Sequence, residues 1–184
     1  MFHVEQLTRR IMELKDYIRE VPGFPQPGIS FKDITTLLKE PVGLRQVVND
    51  ISTFFAGEQI TKVVSLESRG FIVGGALAYL LNAGFVPIRK AGKLPARTVS
   101  MSYQLEYGTD TIQIHEDALD ENDVVLIHDD LLATGGTAMA ALQLVQKLKV
   151  RKIYFSFICD LAFIHTPLKE ELARYTPHIL VTYP

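Results

Sequence analysis

Two adjacent carboxylates, Asp129 and Asp130, stand just ahead of Thr134-Gly135-Gly136-Thr137, and this grouping carries the clearest chemical signal in the chain. A glycine pair that opens onto a helix lets the backbone approach an anion closely, and the free N–H groups of the first helical turn can bind it. The two threonine hydroxyls add donors at the same place. Carboxylates beside a phosphate would repel it, so they need another partner. A ribose diol is one, because a carboxylate accepts hydrogen bonds from vicinal hydroxyls. Together the carboxylates and the Ala133–Thr137 turn describe a site for a sugar phosphate. Helix capping would account for one aspartate but not for the glycine pair.

A second candidate is Glu67-Ser68-Arg69-Gly70, another turn between an apolar run and a small-residue segment. Arg69 there suits bidentate phosphate binding, although pairing with Glu67 at the surface would also explain it. Arg89, Lys90, Lys93 and Arg97 place four cations within nine residues, which on their own read as a solvated face. Glu106 lies between Tyr103 and Tyr107, beside Leu105, where exclusion of water would raise a carboxyl pKa towards a useful range for proton transfer. Phe31 could stack on a flat base, backbone groups from Ile29 to Lys32 could read its edge, and Leu131 and Leu161 could line the other side. His3, His115, His128, His165 and Cys159 have no metal-ligand spacing.

The elements that must hold these residues follow from periodicity. Apolar runs at 62–66, 85–88, 124–127, 152–158 and 179–183 read as five strands, several separated by helix-length segments. Helices are expected over 5–18, 41–55, 70–81 and 138–148, and loop over the proline-rich stretch 21–30. The fold class is therefore α/β, a five-stranded, mainly parallel sheet flanked by helices, with ligands beyond the carboxyl ends of the strands. Between Lys90 and Glu121 the pattern gives way to polar, basic and tyrosine-containing sequence around a possible strand at 111–115, as in a flexible flap or hairpin.

The chain has 184 residues, 47% of them hydrophobic, enough for one domain with a substantial core. A net charge of −2 gives no support for a nucleic-acid partner. The single cysteine excludes an internal disulfide and fits a reducing, cytoplasmic setting. Met1 to Arg10 carry charge without an apolar core, so no signal peptide is expected, and no apolar run approaches the roughly 18 residues of a membrane span. The patterns G-x-x-x-x-G-K-[ST] and G-x-G-x-x-G after a strand are both absent, which removes the usual triphosphate and dinucleotide readings.

Val124 to Thr137 resembles the phosphoribosyl-pyrophosphate (PRPP) motif of the type I phosphoribosyltransferases, closest in wording to the branch that acts on adenine. Phe24 to Thr35 is similar to that branch's N-terminal signature, Glu67 to Phe71 to its pyrophosphate loop, and Arg89 to Pro95 with Tyr103 to Gly108 to its basic and flexible loops. His128 departs from the pattern, where an aliphatic residue is usual, and so does Ala91, where some members carry a basic one.

The resemblance implies one phosphoribosyltransferase domain over 1–184, with an N-terminal helix and hood over about 1–35 and a flexible catalytic loop over about 95–115. It implies purine salvage: transfer of the 5-phosphoribosyl group from PRPP to adenine, giving AMP and diphosphate, in a homodimer without nucleic acid or membrane. The roles it implies are catalysis for Glu106 and Arg69, and ribose and 5′-phosphate binding for Asp129, Asp130 and Ala133 to Thr137. Diphosphate would fall to Glu67, Ser68, Arg69, Gly70, Arg89, Lys90 and Lys93, with a cis peptide between Glu67 and Ser68. Adenine would fall to Ile29, Phe31, Lys32, Leu131 and Leu161. Mg²⁺ would bind through substrate and water, with no protein metal motif needed. The rival readings are a 6-oxopurine enzyme (hypoxanthine, guanine or xanthine) and a PRPP-binding regulator without catalysis; the latter wants an extra DNA-binding domain and a basic face, which the short stretch ahead of Phe24 and a net charge of −2 do not favour.

Overall fold

Val63 to Leu66, apolar but for Ser65, and Val124 to Ile127 do not alternate because both faces of their strands are covered. In the computed structural model, which describes residues 13–24, 26–27, 30–104 and 108–184, these two runs lie side by side at the centre of the sheet. They are β3 (Lys62–Leu66) and β7 (Val124–Leu132), parallel and in register from Lys62 opposite Val125 to Ser65 opposite His128. On one side β3 pairs with β4 (Gly84–Lys90), and on the other β7 pairs with β8 (Lys152–Leu161) and β8 with β9 (His178–Tyr183), all parallel. The five expected parallel strands are therefore present.

The sheet also has two strands beyond those five. β5 (Thr98–Gln104) and β6 (Thr109–His115) form an antiparallel hairpin whose β6 joins the edge of β4. The possible strand at 111–115 is part of β6, within the flap or hairpin expected there, while β5 has one wet face and falls where no strand is expected. On the other face Val99, Met101 and Tyr103 pack into the core, and Lys147 donates to the Ser100 carbonyl at 2.9 Å. The residues that join the two strands, 105–107, lie outside the described residues and include Glu106.

A separate two-stranded sheet, β1 (Arg19–Pro22) with β2 (Ser30–Asp33), brings Phe31 and Lys32 to the N-terminal region. The helix expected over 5–18 is not continued here: Leu14–Tyr17 is a 3₁₀ turn ending at an extended Ile18, and 5–12 lie outside the described residues. The first part of the expected loop at 21–30 belongs to β1, since Pro22 is tolerated at the end of an edge strand. A short helix, α1 (Thr35–Leu38), leads into α2 (Pro41–Phe55), which starts on a proline suited to the first helical position.

Helices α2 and α3 (Gly70–Leu80) cover one face of the sheet, while α4 (Gly136–Gln146) covers the other, with α5 (Pro167–Ala173) beside α4. Burial of each core Val, Leu or Ile contributes roughly 1.5–3 kcal/mol, and both faces supply many. One row across the sheet is polar instead: Ser65, His128, Ser156 and His178 occupy successive register positions on β3, β7, β8 and β9. Ser65 leaves room for α3 to approach, and a Cβ on Gly74 would come within 1.9 Å of the Ser65 hydroxyl and 2.9 Å of its Cβ. Gly74→Ala should therefore push α3 off β3 and cost about 1–3 kcal/mol; a thermal melt unchanged from the parent would refute that close packing.

Candidate active site

Because β3, β4, β7 and β8 are parallel, the loops leaving their carboxyl ends gather at one edge of the sheet, where such sheets bind ligands. Strand β7 runs through both carboxylates rather than stopping at Ile127, so Asp129 and Asp130 project to opposite faces. Asp130 is only 5% exposed and accepts from Arg69 Nε at 2.5 Å. Asp129 lies where a Cβ on Gly70 would come within 3.1 Å of its carboxylate, and it accepts from the Asp130 N–H at 2.9 Å. Burial pushes the Asp129 carboxyl well above its ordinary range, and the Asp130 charge pushes the same way against the opposing pull of Arg69.

Beyond Leu132 the chain turns through 133–135 into α4. Gly135 holds the helix cap at φ +86°, a left-handed conformation that L side chains avoid, and the helix has no side-chain cap. The first-turn N–H groups of α4 have no partner within the helix and face a hollow of about 60 Å³ lined by Leu131 to Ala138. Thr137 donates to the Tyr103 hydroxyl at 3.4 Å, and the Tyr103 ring lies near Gly136, so the β5–β6 hairpin roofs this turn. Burial raises the Tyr103 phenol, which keeps it protonated.

The turn after β3 reaches the same place. The Glu67 N–H donates to the Ile88 carbonyl at 3.1 Å, and its carboxylate accepts from Arg89 Nε at 2.7 Å. The Glu67–Ser68 peptide is cis, as the resemblance implies. Arg69 points towards Asp130 with its guanidinium 5.3 Å from the Phe31 ring centre, so the N-terminal sheet, the β3 turn and the β7 end meet at one side chain. Pairing of Arg69 with Glu67, the bland alternative, is not what the chain adopts.

The basic run is only partly drawn in. Arg89 is tied to Glu67 and to the Lys93 carbonyl, Lys90 pairs with Asp110 at 3.2 Å, and Lys93 and Arg97 are exposed. Leu131, Ala133 and Leu161 pack in the same apolar cluster as the N-terminal Ile18 and Ile34. Lys32 is buried with its ammonium on Glu20 and over the Tyr183 ring. Ile29 and Glu106 lie outside the described residues. Among the described residues no group of three or more His, Cys, Asp or Glu side chains could hold a metal ion. Thr166 and Lys169 contact the turn, with Asp160 behind Lys169, and none of the three carries a sequence signal for such a site; the threonine-proline start of α5 marks only that Thr166 caps a helix.

The comparisons agree with this geometry. A family model described as the phosphoribosyl transferase domain matches residues 39–163. An adenine phosphoribosyltransferase of Bacteroides thetaiotaomicron is 62% identical over 144 residues, which cover 78% of this chain and 82% of that one. The chain belongs to the adenine phosphoribosyltransferase family. Among solved structures, the adenine phosphoribosyltransferase of Rhodothermus marinus superposes with a TM-score of 0.85 at 49% identity, covering 92% of this chain and 96% of that one. The Giardia lamblia enzyme, solved with 9-deazaadenine, gives 0.87 at 36% identity, covering 94% and 99%.

His128, just before the carboxylates, is fully buried. Its Nδ1 lies 2.8 Å from the Ser156 hydroxyl, and its Nε2 has no partner among the described residues. Burial pushes this imidazole down to about 3, with the Ser156 backbone pulling the other way. An unfolded histidine binds a proton below about 6.5, so between there and about 3 the unfolded chain holds the extra proton and stability is lost as pH falls. The slope reaches at most about 1.4 kcal/mol per pH unit. Asp129, raised in the fold, acts in the opposite sense and is present in both proteins compared. Urea midpoints at pH 7.5 and 5 should fall further for the parent than for His128→Leu; equal losses would exclude a buried neutral His128.

Proposed function

We propose that this family member transfers the 5-phosphoribosyl group of PRPP to N9 of adenine, releasing AMP and diphosphate. The observation that carries the reading is the meeting of the uncapped α4 N-terminus, the Asp129–Asp130 pair and Arg69 at one sheet edge. The first-turn amides of α4, with Thr134 and Thr137, bind the 5′-phosphate, and the two carboxylates take the ribose hydroxyls. Arg69 then exchanges Asp130 for the diphosphate, with Glu67, Ser68 and Gly70 shaping the pocket and Arg89, Lys90 and Lys93 adding charge from the β4 side. Phe31, Leu131 and Leu161 enclose the base, while backbone groups from Ile29 to Lys32 read its edge.

In the reaction the C1′–O bond to diphosphate breaks, and the leaving group keeps the electron pair. The N9–C1′ bond forms, and the N9 proton passes to Glu106. Positive charge on the sugar and negative charge on the diphosphate both grow in the transition state, so carboxylates under the ring and cations around the leaving group act where charge develops. Mg²⁺ would be held mainly by substrate oxygens and water, which asks for no cluster of protein ligands. When bound it supplies further charge neutralisation on the diphosphate. The connection between β5 and β6, which carries Glu106, closes over the site and keeps water from the activated sugar. The whole chain is one catalytic domain, with 1–35 as its hood.

The direct test is turnover of PRPP with adenine, hypoxanthine, guanine and xanthine. Adenine should be the one base consumed, and Glu106→Gln should lower its turnover by about 10²–10⁴-fold with PRPP binding retained. Turnover of a 6-oxopurine with adenine inert would establish the rival specificity, and PRPP binding without turnover of any base would favour the regulator.

The assembly is a cytoplasmic homodimer. Support comes from α3, apolar on all sides, which leaves Ile72, Leu80 and the 85%-exposed Tyr79 in contact with solvent beside Phe85 of β4. A patch of this kind marks an interaction surface. Light scattering should give the mass of two chains for the parent and of one for an Ile72→Asp, Tyr79→Asp variant; a monomeric parent would discount the patch.

A further inference from the structure

The turn that opens α4 is held from beneath by a short segment for which the reaction has no direct use. Thr166, the N-cap of α5, donates its hydroxyl to the Thr134 carbonyl at 2.6 Å and accepts from the Lys169 N–H at 3.2 Å. The Lys169 stem packs against Gly135, where a Cβ would meet its Cγ at 3.2 Å and its backbone N at 3.3 Å. The Lys169 ammonium ends on Asp160 at 2.5 Å and on the Leu161 carbonyl at 2.8 Å, with both charged side chains close to fully buried.

We propose that Thr166 and Lys169 are positioning residues that set the orientation of the phosphate turn and its distance from the base-side end of β8. This rests on the reading of Thr134 to Thr137 as the 5′-phosphate site. The carbonyl of Thr134 and the N–H of Gly135 belong to one trans peptide unit, whose C=O and N–H bonds point in opposite directions. By drawing the carbonyl down onto α5, the Thr166 hydroxyl turns the Gly135 N–H away from α5, to the side from which an anion approaches. A turn with glycine at its next two positions has little steric resistance to a flip of that peptide, so the hydrogen bond decides its orientation. Lys169 fixes the second coordinate. Its stem supports Gly135, and its head is bound at Asp160 and Leu161, so the phosphate turn and the residue read as lining the base are referred to one side chain.

Neither residue touches the reacting atoms, so the effect should fall on phosphate affinity rather than on chemistry. Thr166→Val keeps the shape and removes the donor. By calorimetry it should bind ribose 5-phosphate about tenfold more weakly than the parent while pyrophosphate binding stays within about twofold. The KM for PRPP should rise accordingly with kcat little changed, and Thr166→Ser should restore both. Lys169→Met, which keeps the stem and loses the ties to β8, should likewise weaken ribose 5-phosphate and spare pyrophosphate. Unchanged ribose 5-phosphate affinity in Thr166→Val and Lys169→Met, equal loss of both ligands, or a serine variant as weak as the valine one would each overturn the assignment. A parent protein that binds no ribose 5-phosphate would instead remove the reading of the turn itself.

Discussion

Parallel pairing of β3 with β7 is the constraint from which the site follows. With Ser65 opposite His128, the chain leaving β3 at Glu67 arrives beside Asp129 and Asp130. A one-residue slip would turn the carboxylates to the wrong faces and bury charge in the cores. Register is fixed because both faces of both strands are covered, so no shifted pairing keeps Val63, Val64, Leu126 and Ile127 packed on their own sides. Site geometry is thus a by-product of core packing, and the Arg69–Asp130 contact is available without any loop having to search for it.

That contact also explains how two carboxylates persist side by side at the end of a buried strand. An unpaired buried carboxylate costs several kcal/mol, and two together repel. The chain meets this by giving Asp130 a guanidinium and by leaving Asp129 with a raised carboxyl pKa. Both are conditions of the free protein that a cationic transition state reverses. In the proposed reaction the charge that is costly at rest would become favourable once positive charge develops on the sugar, and Arg69 would be released towards the diphosphate. In this reading the ion pair stores electrostatic preorganisation and contributes little to stability.

How much of this was legible in the sequence depended on whether the signal was local. The five parallel strands could be read because each contains a short apolar run, buried on both faces in β3 and the first part of β7, and the α4 turn because glycine pairs and a preceding buried strand have few other uses. Of the β5–β6 hairpin only the possible strand at 111–115 was legible; β5 alternates Val99, Met101 and Tyr103 with Ser100, Ser102 and Gln104 on the wet face, but it follows directly on a basic, proline-containing stretch that reads as loop. The expected helix over 5–18 failed in its described part because spacing of Leu14 and Ile18 fits a 3₁₀ turn followed by a strand as well as it fits a helix. Site residues with charge announced themselves, but what each would pair with did not: Arg69 could have chosen Glu67 from its own turn, and tertiary placement gave it Asp130.

The same distinction accounts for why α5 passed unnoticed. Thr166 and Lys169 carry no motif, and their partners are a backbone carbonyl at 134 and the end of β8, neither adjacent in sequence. Yet a phosphate site built from backbone N–H groups depends on the orientation of each peptide, and a glycine-containing turn has the least intrinsic preference for any one. The freedom that lets the turn approach a phosphate must be removed elsewhere if the donors are to be preorganised. Packing of Gly135 on Lys169 limits where the turn can lie, and the Thr166 hydroxyl limits which way its first peptide can face. An anion site of this type therefore has two sequence components: the glycines that permit the conformation and the support that selects it. Only the first is written next to the site.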